Sequence, residues 1–225
     1  MNDQALLTTD SEKDLGVLIT SDLKSSRHCA EAVKKPNQAL GMIHRHIVSR
    51  DKDLIVRLYK GIVRPHLEYS IQAWNPHYQK DIILMERVQR RATRLIDECK
   101  DIFYYDRLKI CKLTTLEFRR IRGDLIEAFK ILNDKEGIPP DKMFTRNLDS
   151  RTRRHKFKLQ KERPRLDLRK FFFSVRVVNE WNILHENVIA ASSVNNFKNL
   201  LYIYLEEKYG VSMSYTRVTP RPYVR

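Results

Sequence analysis

The sequence predicts a mainly α-helical fold: a bundle of about six helices with a short amino-terminal strand or hairpin and a basic, partly extended segment near residues 150–170. Two properties of the composition support this fold class. Hydrophobic residues make up 42% of the 225 residues and charged residues 32%, proportions that are typical of a folded protein and not of a disordered chain. Only six glycines are present, which is few for the tight turns of a many-stranded sheet.

The amino-terminal part predicts one short strand followed by an interrupted helix. Residues 15–19 form a short apolar run that contains Gly16, which favours a strand. Beyond this run, apolar residues recur at intervals of three, four and seven, which places them on one helix face: Cys29, Val33, Leu40, Ile43 and Ile47. Pro36 falls on the same face. Because proline lacks the backbone N–H that a helix interior uses, we expect the helix to kink or break there.

Three helices are predicted between residues 51 and 132. The first is capped by Asp51 or Asp53 and kinked by Pro65, and its outer face carries Arg57, Lys60 and Arg64. The second follows Pro76, and the third spans about residues 115–132. The inward-facing residues of the three helices are expected to be Ile55, Leu58, Tyr59 and Ile62, then Met85, Val88, Ala92, Leu95 and Cys99, then Phe118, Ile121, Leu125, Ala128 and Leu132.

Two closing helices are predicted after the basic segment. The first spans about residues 172–184, and the second is capped by Ser192 or Ser193, both of which are good amino-terminal caps. Their expected core residues are Val177, Trp181 and Leu184, then Val194, Phe197, Leu201, Tyr204 and Leu205.

Positive charge is concentrated in two patches. Residues 151–170 hold ten lysines and arginines against two acids, which is about half of the net charge of +15. Aromatic residues adjoin this run, and arginines interleaved with aromatic rings suit phosphate contacts supported by stacking. The second patch lies on the outer face of the helix after Pro76 and consists of Arg87, Arg90, Arg91 and Arg94. A solvated basic loop without a specific ligand is the alternative interpretation of the 151–170 run.

The sequence predicts no cofactor, no metal site and no membrane span. Cys29, Cys99 and Cys111 are far apart and lie in helical patterns, so we expect reduced, buried thiols. A zinc site formed through space by His44, His46 and Cys99 is a minor alternative. No stretch approaches the roughly 18 uncharged residues of a membrane span, and the first ten residues do not have the pattern of a secretion signal. We therefore expect an intracellular protein.

Eight short strings occur in a fixed order: KDLGV at 13–17, LGMI at 40–43, LYK at 58–60, VRPHLEY at 63–69, WNP at 74–76, ERVQRRAT at 86–93, RRIRGDL at 119–125 and FSVRVVNEWN at 173–182. In this order they resemble the motifs of the carboxy-terminal part of jockey-like, non-LTR retrotransposon reverse transcriptases. The resemblance covers residues 13–210. The motif positions that we expect to have structural roles are Gly16, Pro65, Glu68, Tyr69, Trp74, Gly123, Trp181 and Asn182. Pro36 and His185 depart from the family pattern.

The resemblance implies a piece of a larger enzyme with four regions. These are a remnant of the last palm strand (1–24), a thumb-like helical domain (25–148), the basic segment with a carboxy-terminal helical pair (149–210) and a flexible basic tail (211–225). In the family the polymerase active site lies upstream, and this chain contains no Tyr-x-Asp-Asp string to hold two metal ions. We therefore expect that this chain does not polymerise DNA by itself.

The leading hypothesis is that the chain holds template RNA or an RNA–DNA duplex through phosphate contacts. The residues expected to make these contacts are Lys60, Arg64, Arg87, Arg90, Arg91, Arg94, Arg151, Arg153, Arg154, Lys156, Lys158, Arg165 and Lys170. For residues 63–69, a helix kink packed on Trp74 is preferred over direct nucleic-acid contact.

Three other hypotheses remain. In the first, the helices dock onto the missing palm domain or a second copy, using Tyr59, Trp74 and the edge of residues 15–19 as exposed contacts. In the second, the chain is a relic of an element with no nucleic-acid role. In the third, it is a nuclease that uses His155 or Asp167.

Overall fold

The computed structural model describes residues 8–147, residue 155 and residues 157–209, and this part of the chain is mainly helical behind one β-hairpin. The predicted fold class is therefore confirmed. The α-helices are α1 (Ser26–Ala32), α2 (Lys34–His46), α3 (Lys52–Leu58), α4 (Arg64–Glu68), α5 (Ile71–Trp74), α6 (Gln79–Arg94), α7 (Tyr104–Ile110), α8 (Leu116–Leu132), α9 (Pro140–Met143), α10 (Phe173–Asn182), α11 (Glu186–Ile189) and α12 (Val194–Tyr209). Short 3-10 helices cover Asp97–Cys99 and Asp167–Phe171.

The amino-terminal hairpin consists of β1 (Ser11–Asp14) and β2 (Val17–Thr20), which pair antiparallel with Asp14 opposite Val17. Leu15 and Gly16 form the two-residue turn, with φ values of 43° and 84°. Positive φ at both central residues is the backbone that a type I′ hairpin turn requires, and glycine adopts it without strain. The strand predicted over residues 15–19 therefore begins two residues later, because its first two residues form the turn.

The first predicted helix is interrupted, but the break precedes the proline. α1 ends at Ala32, α2 begins at Lys34, and Val33 lies between them. Pro36 lies in the first turn of α2, where a missing backbone N–H costs least because the first N–H groups of a helix have no intrahelical partner. The break thus lets the chain place the proline at a helix start.

A π-helical turn, Tyr59–Val63, joins α3 to α4. Asp51 caps α3 by accepting a hydrogen bond from the Leu54 N–H at 2.9 Å, as predicted. The π turn contains one more residue than an α turn, so it shifts the buried face by one position. Ile62, which we expected to face inward, is 45% exposed, and Val63 is fully buried in its place.

Two hydrophobic clusters form the core. The first is built from the hairpin and α1–α7 and extends to Leu116 at the start of α8. The second begins at Phe118 and contains the rest of the buried face of α8 together with α10, α11 and α12. The domain boundary predicted near residue 148 stays a prediction. The hydrophobic clusters themselves divide earlier, between Leu116 and Phe118.

Polar contacts join the two clusters. Arg119 on α8 forms a bidentate ion pair with Glu68 on α4. Arg176 on α10 donates to the carbonyl oxygen of Gln72 on α5 at 3.1 Å. The rings of His77 and Phe171 also stack across this boundary, with 3.9 Å between their centroids.

The closing helices agree with the sequence prediction except for one added element. The Ser193 hydroxyl accepts a hydrogen bond from the Asn196 N–H at 3.1 Å and so caps α12. The short helix α11 was not predicted. Trp181, on α10, is 1% exposed and lies at the centre of the second cluster, as expected for a core residue.

Candidate nucleic-acid interface

α6 presents a stripe of arginines on the face opposite its core contacts. Arg87, Arg91 and Arg94 are exposed and recur at positions i, i+4 and i+7, so they lie along one side of the helix. On the opposite side, Met85 and Val88 are buried in the first cluster. The prediction that arginines line one face of this helix is confirmed for these three residues.

Arg90 lies at the edge of this arginine stripe and faces α7. Its guanidinium carbon lies 4.1 Å from the centroid of the Tyr104 ring and 6.0 Å from that of Tyr105. A cation over an aromatic face at this distance is attracted by the ring quadrupole. Arg90 is therefore held toward α7, whereas Arg91 and Arg94 lie toward α2.

α1 and α2 run alongside α6 in the same direction. The start of α1 contacts the start of α6, where the Ser26 hydroxyl donates to the Asp81 carboxylate at 2.5 Å. Further along, Arg91 donates to the Asn37 side-chain oxygen at 2.8 Å. Between the helices lies a groove of about 270 Å³ lined by Leu40, Gly41, His44, Arg91, Arg94 and Leu95. An anion in this groove would reach Arg91 and Arg94, two of the predicted arginines.

A second basic cavity lies on the other side of α2. It measures about 610 Å³, and its basic lining consists of Lys13, His28, Lys34, Lys35 and His66, with Glu31 as the one acid. Glu31 forms an ion pair with Lys34. The sequence prediction missed these lysines, because they are far apart along the chain or lie in helix α2 without a charge run to mark them.

His28 is a structural residue in this cavity. Its Nδ1 accepts a hydrogen bond from the Leu18 N–H at 3.0 Å, and its ring packs against Trp74 with 4.5 Å between centroids. Burial lowers the pKa of His28, and the charge of Lys13 lowers it further. The neutral ring therefore ties the hairpin to α1, and the lysines supply the charge of the cavity.

The predicted contacts Lys60 and Arg64 differ in their surroundings. Lys60 is exposed in the π turn. Arg64 is partly buried, and its Nε lies 3.8 Å from the carboxylate of Glu68. Burial lowers the pKa of Arg64, and the neighbouring charge of Arg119 acts in the same direction. Lys60 is therefore the freer of the two cations.

Residues 63–69 have the structural role that was preferred for them. Trp74 donates its indole N–H to the Tyr69 carbonyl oxygen at 2.8 Å. Tyr69 in turn donates its hydroxyl to the Leu15 carbonyl oxygen at 2.9 Å, which holds the hairpin turn. Glu68 is occupied by its ion pair with Arg119. Pro65 lies at the start of α4, directly after the π turn.

The expectation that Tyr59 and Trp74 are exposed docking residues is wrong. Tyr59 is 1% exposed and Trp74 is 4% exposed. Tyr59 is held inside because its hydroxyl donates to the Gln89 side-chain oxygen at 2.6 Å. The exposed apolar surface lies instead at the hairpin, where Leu15 is 82% and Ile19 is 45% exposed.

Polar side chains also fill the core side of α6. Gln89 donates to the Tyr104 hydroxyl at 2.9 Å and to the Thr114 carbonyl oxygen at 3.0 Å. Glu86 accepts hydrogen bonds from Tyr104 and, at 3.1 Å, from the Leu116 N–H. Burial raises the pKa of Glu86. This network links α6, α7 and the start of α8, and so fixes the helix that carries the arginine stripe.

The second predicted patch lies partly outside the described residues. Arg151, Arg153, Arg154 and Lys156 fall there. Of the remaining members, Arg165 is exposed, Lys170 forms an ion pair with Asp167, and Lys158 is partly buried. The described part of this segment packs on the second hydrophobic cluster, whereas the α6 stripe lies on the first.

Trp181 and Asn182 hold this basic segment against α10. Trp181 donates its indole N–H to the Phe157 carbonyl oxygen at 2.9 Å. Asn182 forms two hydrogen bonds with the backbone of Leu159, each at 2.8 Å. Leu159 also forms an isolated β-bridge with Arg146, so the predicted extended character is confirmed at this position.

The described surroundings of the residues named in the nuclease and zinc alternatives do not support either site. His155 is buried against the Trp181 carbonyl oxygen, and Asp167 is exposed and paired with Lys170. The zinc alternative for His44, His46 and Cys99 is wrong, because no three His, Cys, Asp or Glu side chains converge as metal ligands among the described residues.

The three cysteines are free and buried, as predicted. Burial raises the pKa of Cys29 and that of Cys111 to about 12, so both stay protonated at neutral pH. Of the helices that the structure describes, none has the length and apolar character that crossing a membrane requires.

Comparison with known proteins adds no further constraint. No family model matches the chain, and neither does any curated protein or solved structure. The functional argument therefore rests on the residues and their geometry.

Proposed function

We propose that this chain binds RNA or an RNA–DNA duplex through its phosphates, as the carboxy-terminal part of a retrotransposon RNA-directed DNA polymerase. The ordered sequence strings at residues 13–182 support the polymerase origin. One observation carries the binding proposal: Arg87, Arg91 and Arg94 are exposed in one stripe, next to a groove of about 270 Å³. In this proposal the polymerisation chemistry belongs to sequence outside this chain.

The spacing of the stripe suits a nucleic-acid backbone. A helix rises about 1.5 Å per residue, so the stripe from Arg87 to Arg94 extends about 10 Å. Successive nucleotides of one strand rise about 3.4 Å in a duplex, so the stripe matches the phosphates of about three nucleotides. Phosphate contacts position a duplex without identifying its bases. The expected role of these arginines is charge neutralisation and not sequence recognition.

The experiment replaces the three arginines of the stripe and compares this variant with a control that loses the same number of positive charges. The variant Arg87→Gln/Arg91→Gln/Arg94→Gln removes three positive charges from α6, and the control Lys24→Gln/Lys135→Gln/Lys142→Gln removes three exposed charges elsewhere. Binding to a labelled RNA–DNA hybrid is measured by fluorescence anisotropy at several salt concentrations. The slope of log affinity against log salt is expected to become shallower by about 2 to 3 for the stripe variant only. Equal losses in both variants would contradict the assignment to α6.

A second candidate function is protein docking at the hairpin. The observation that favours it is an exposed apolar surface around the turn, where Leu15, Leu23 and Tyr69 are each more than half exposed. A groove of about 320 Å³ adjoins this surface and is lined in part by Ile19, Trp74 and Phe172. The two-stranded sheet also leaves strand edges that another chain can extend.

The occupant of this surface would be the polymerase palm domain or a second copy of the chain. Light scattering of the purified protein over a wide concentration range tests self-association. A rise in mass with concentration that Leu15→Ser abolishes would support docking between copies. A constant monomer mass would contradict it.

A further inference from the structure

Arg107, on α7, is a buried arginine with unsatisfied donors. Only 2% of its surface is exposed. Its Nε and Nη1 are buried and have no hydrogen-bond partner among the residues that the structure describes. A buried charge is unfavourable unless an opposite charge and hydrogen bonds compensate it, so an unpaired guanidinium of this kind is unusual. The sequence prediction did not identify this residue, because it lies outside both basic patches.

Burial and the neighbouring arginines disfavour the charge of Arg107, whereas Tyr104 and Cys99 favour it. Burial lowers the pKa of Arg107, and the charges of Arg94 and Arg90 lower it further. The Tyr104 ring centroid lies 5.5 Å from the guanidinium carbon of Arg107 and 4.1 Å from that of Arg90, so one ring faces two cations.

Two acids near α7 are already engaged in ion pairs. Asp97 pairs with Lys100 at 2.7 Å, and Asp106 pairs with Lys109 at 3.0 Å. Near Tyr104 the charges of Arg90, Arg94 and Arg107 therefore exceed that of the Glu86 carboxylate, which accepts a hydrogen bond from the Tyr104 hydroxyl. A further anion would compensate this excess.

We propose that Arg90, Arg94 and Arg107 form a phosphate-binding site where α6 meets α7. In this site Arg107 provides the buried donors Nε and Nη1, each of which can make a charge-assisted hydrogen bond to a phosphate oxygen. Arg94 is exposed and Arg90 is partly exposed, and the charges of both act on Arg107. Surface arginine side chains change rotamer within nanoseconds, so Arg94 can turn from the groove beside α2 toward a ligand at this junction.

This inference rests on the proposed function for the source of the phosphate. Arg94 belongs to the stripe proposed to hold the nucleic-acid backbone and Arg90 lies at its edge, and Arg107 adds a deeper contact for one phosphate. The same chemistry would also accept inorganic phosphate. The experiment below therefore uses both an RNA and inorganic phosphate as probes.

The test variant is Arg107→Met, which removes the charge and keeps a long side chain. We expect opposite effects on stability and binding. The free energy of unfolding should stay equal or rise, because an unpaired buried charge is lost. The affinity for a 20-nucleotide RNA should fall about threefold to tenfold, and the salt slope should become shallower by about 0.7 to 0.9. The control is Arg57→Met, which removes an exposed charge on α3 and should change neither property.

Two results would overturn the site. Unchanged RNA affinity in Arg107→Met would show that the residue contacts no phosphate. Loss of affinity accompanied by a matching loss of stability would assign a purely structural role to Arg107. Loss of RNA affinity with unchanged stability would support the site and identify its ligand as a phosphate of the nucleic acid.

A measurement with inorganic phosphate distinguishes a failure of this inference from a failure of the proposed function. Melting temperatures are compared in sodium phosphate and in sodium chloride of equal ionic strength and pH. Phosphate should raise the melting temperature of the wild type and of Arg57→Met by more than that of Arg107→Met, because the general stabilising effect of phosphate acts on all three proteins and only the site-dependent part is lost. If the wild type binds no RNA and this phosphate effect depends on Arg107, the proposed function fails and the site stands. If the substitution changes neither the RNA affinity nor the effect of phosphate on the melting temperature, the site is overturned.

Discussion

Glu86 connects three elements through one buried carboxylate. It is 1% exposed, and it accepts hydrogen bonds from Tyr104 and from the Leu116 N–H. Sequence periodicity identified Met85 and Val88 as core residues because they are apolar. It could not identify Glu86 or Gln89, because a polar side chain enters a core only when partners from other elements are present, and those partners depend on the tertiary structure.

The charge of Glu86 makes stability depend on pH. Burial raises its pKa above the ordinary value of 4.5, so the folded state holds the proton more tightly than the unfolded state does. The resulting stabilisation is complete below pH 4.5 and is lost as the pH rises through the folded-state pKa. Glu86→Gln removes the titration and keeps an acceptor and donors. We expect it to be within about 1 kcal/mol of the wild type at pH 5 and the more stable protein at pH 8.

Urea denaturation at pH 5 and pH 8 measures this difference. Glu98→Gln, which changes an exposed glutamate, serves as the control and should not alter the pH dependence. A Glu86→Gln variant that is clearly less stable than the wild type at pH 8 would mean that the ionised carboxylate stabilises the network.

Among the elements, helix starts were the features best predicted from sequence. Asp51, Thr115 and Ser193 each accept a hydrogen bond from the backbone N–H three residues later. Capping is local, so the residue types alone indicate it. The π turn at Tyr59–Val63 and the short helix α11 were not predicted. Both are less than two turns long, and no local sequence signal marked either one.

The contact between α8 and α10 depends on a buried ion pair. Arg176 donates to both carboxylate oxygens of Asp124, at 2.8 and 2.9 Å, and Asp124 is 5% exposed. Arg176→Met leaves this carboxylate buried without its partner and should cost about 3 to 5 kcal/mol of unfolding free energy. In the double variant Asp124→Leu/Arg176→Met, most of this loss should be recovered, because no charge stays unpaired.

Chemical denaturation of the single and double variants tests this coupling. Lys208→Met is the matched control, since it removes a partly exposed ion pair with Glu180 and should cost about 1 kcal/mol or less. A small effect of Arg176→Met, similar to that of the control, would contradict the role of this pair.

The whole molecule carries a net charge of +15, and the structure distributes it over distinct surfaces. The arginine stripe of α6 and the cavity with Lys13, Lys34 and Lys35 lie on the first hydrophobic cluster. Sequence analysis predicted the stripe because it has helical spacing. It missed the lysine cavity and Arg107, because the hairpin, α2, α6 and α7 meet only in the folded chain.

The salt dependence of RNA binding by the wild-type protein tests the central claim most directly. Each phosphate contact should contribute about −0.7 to −0.9 to the slope of log affinity against log salt, so three arginines on α6 predict a slope of about −2 or steeper. A slope near zero, or no measurable binding to either RNA or an RNA–DNA hybrid at low salt, would contradict the proposal that this chain holds nucleic acid through its phosphates.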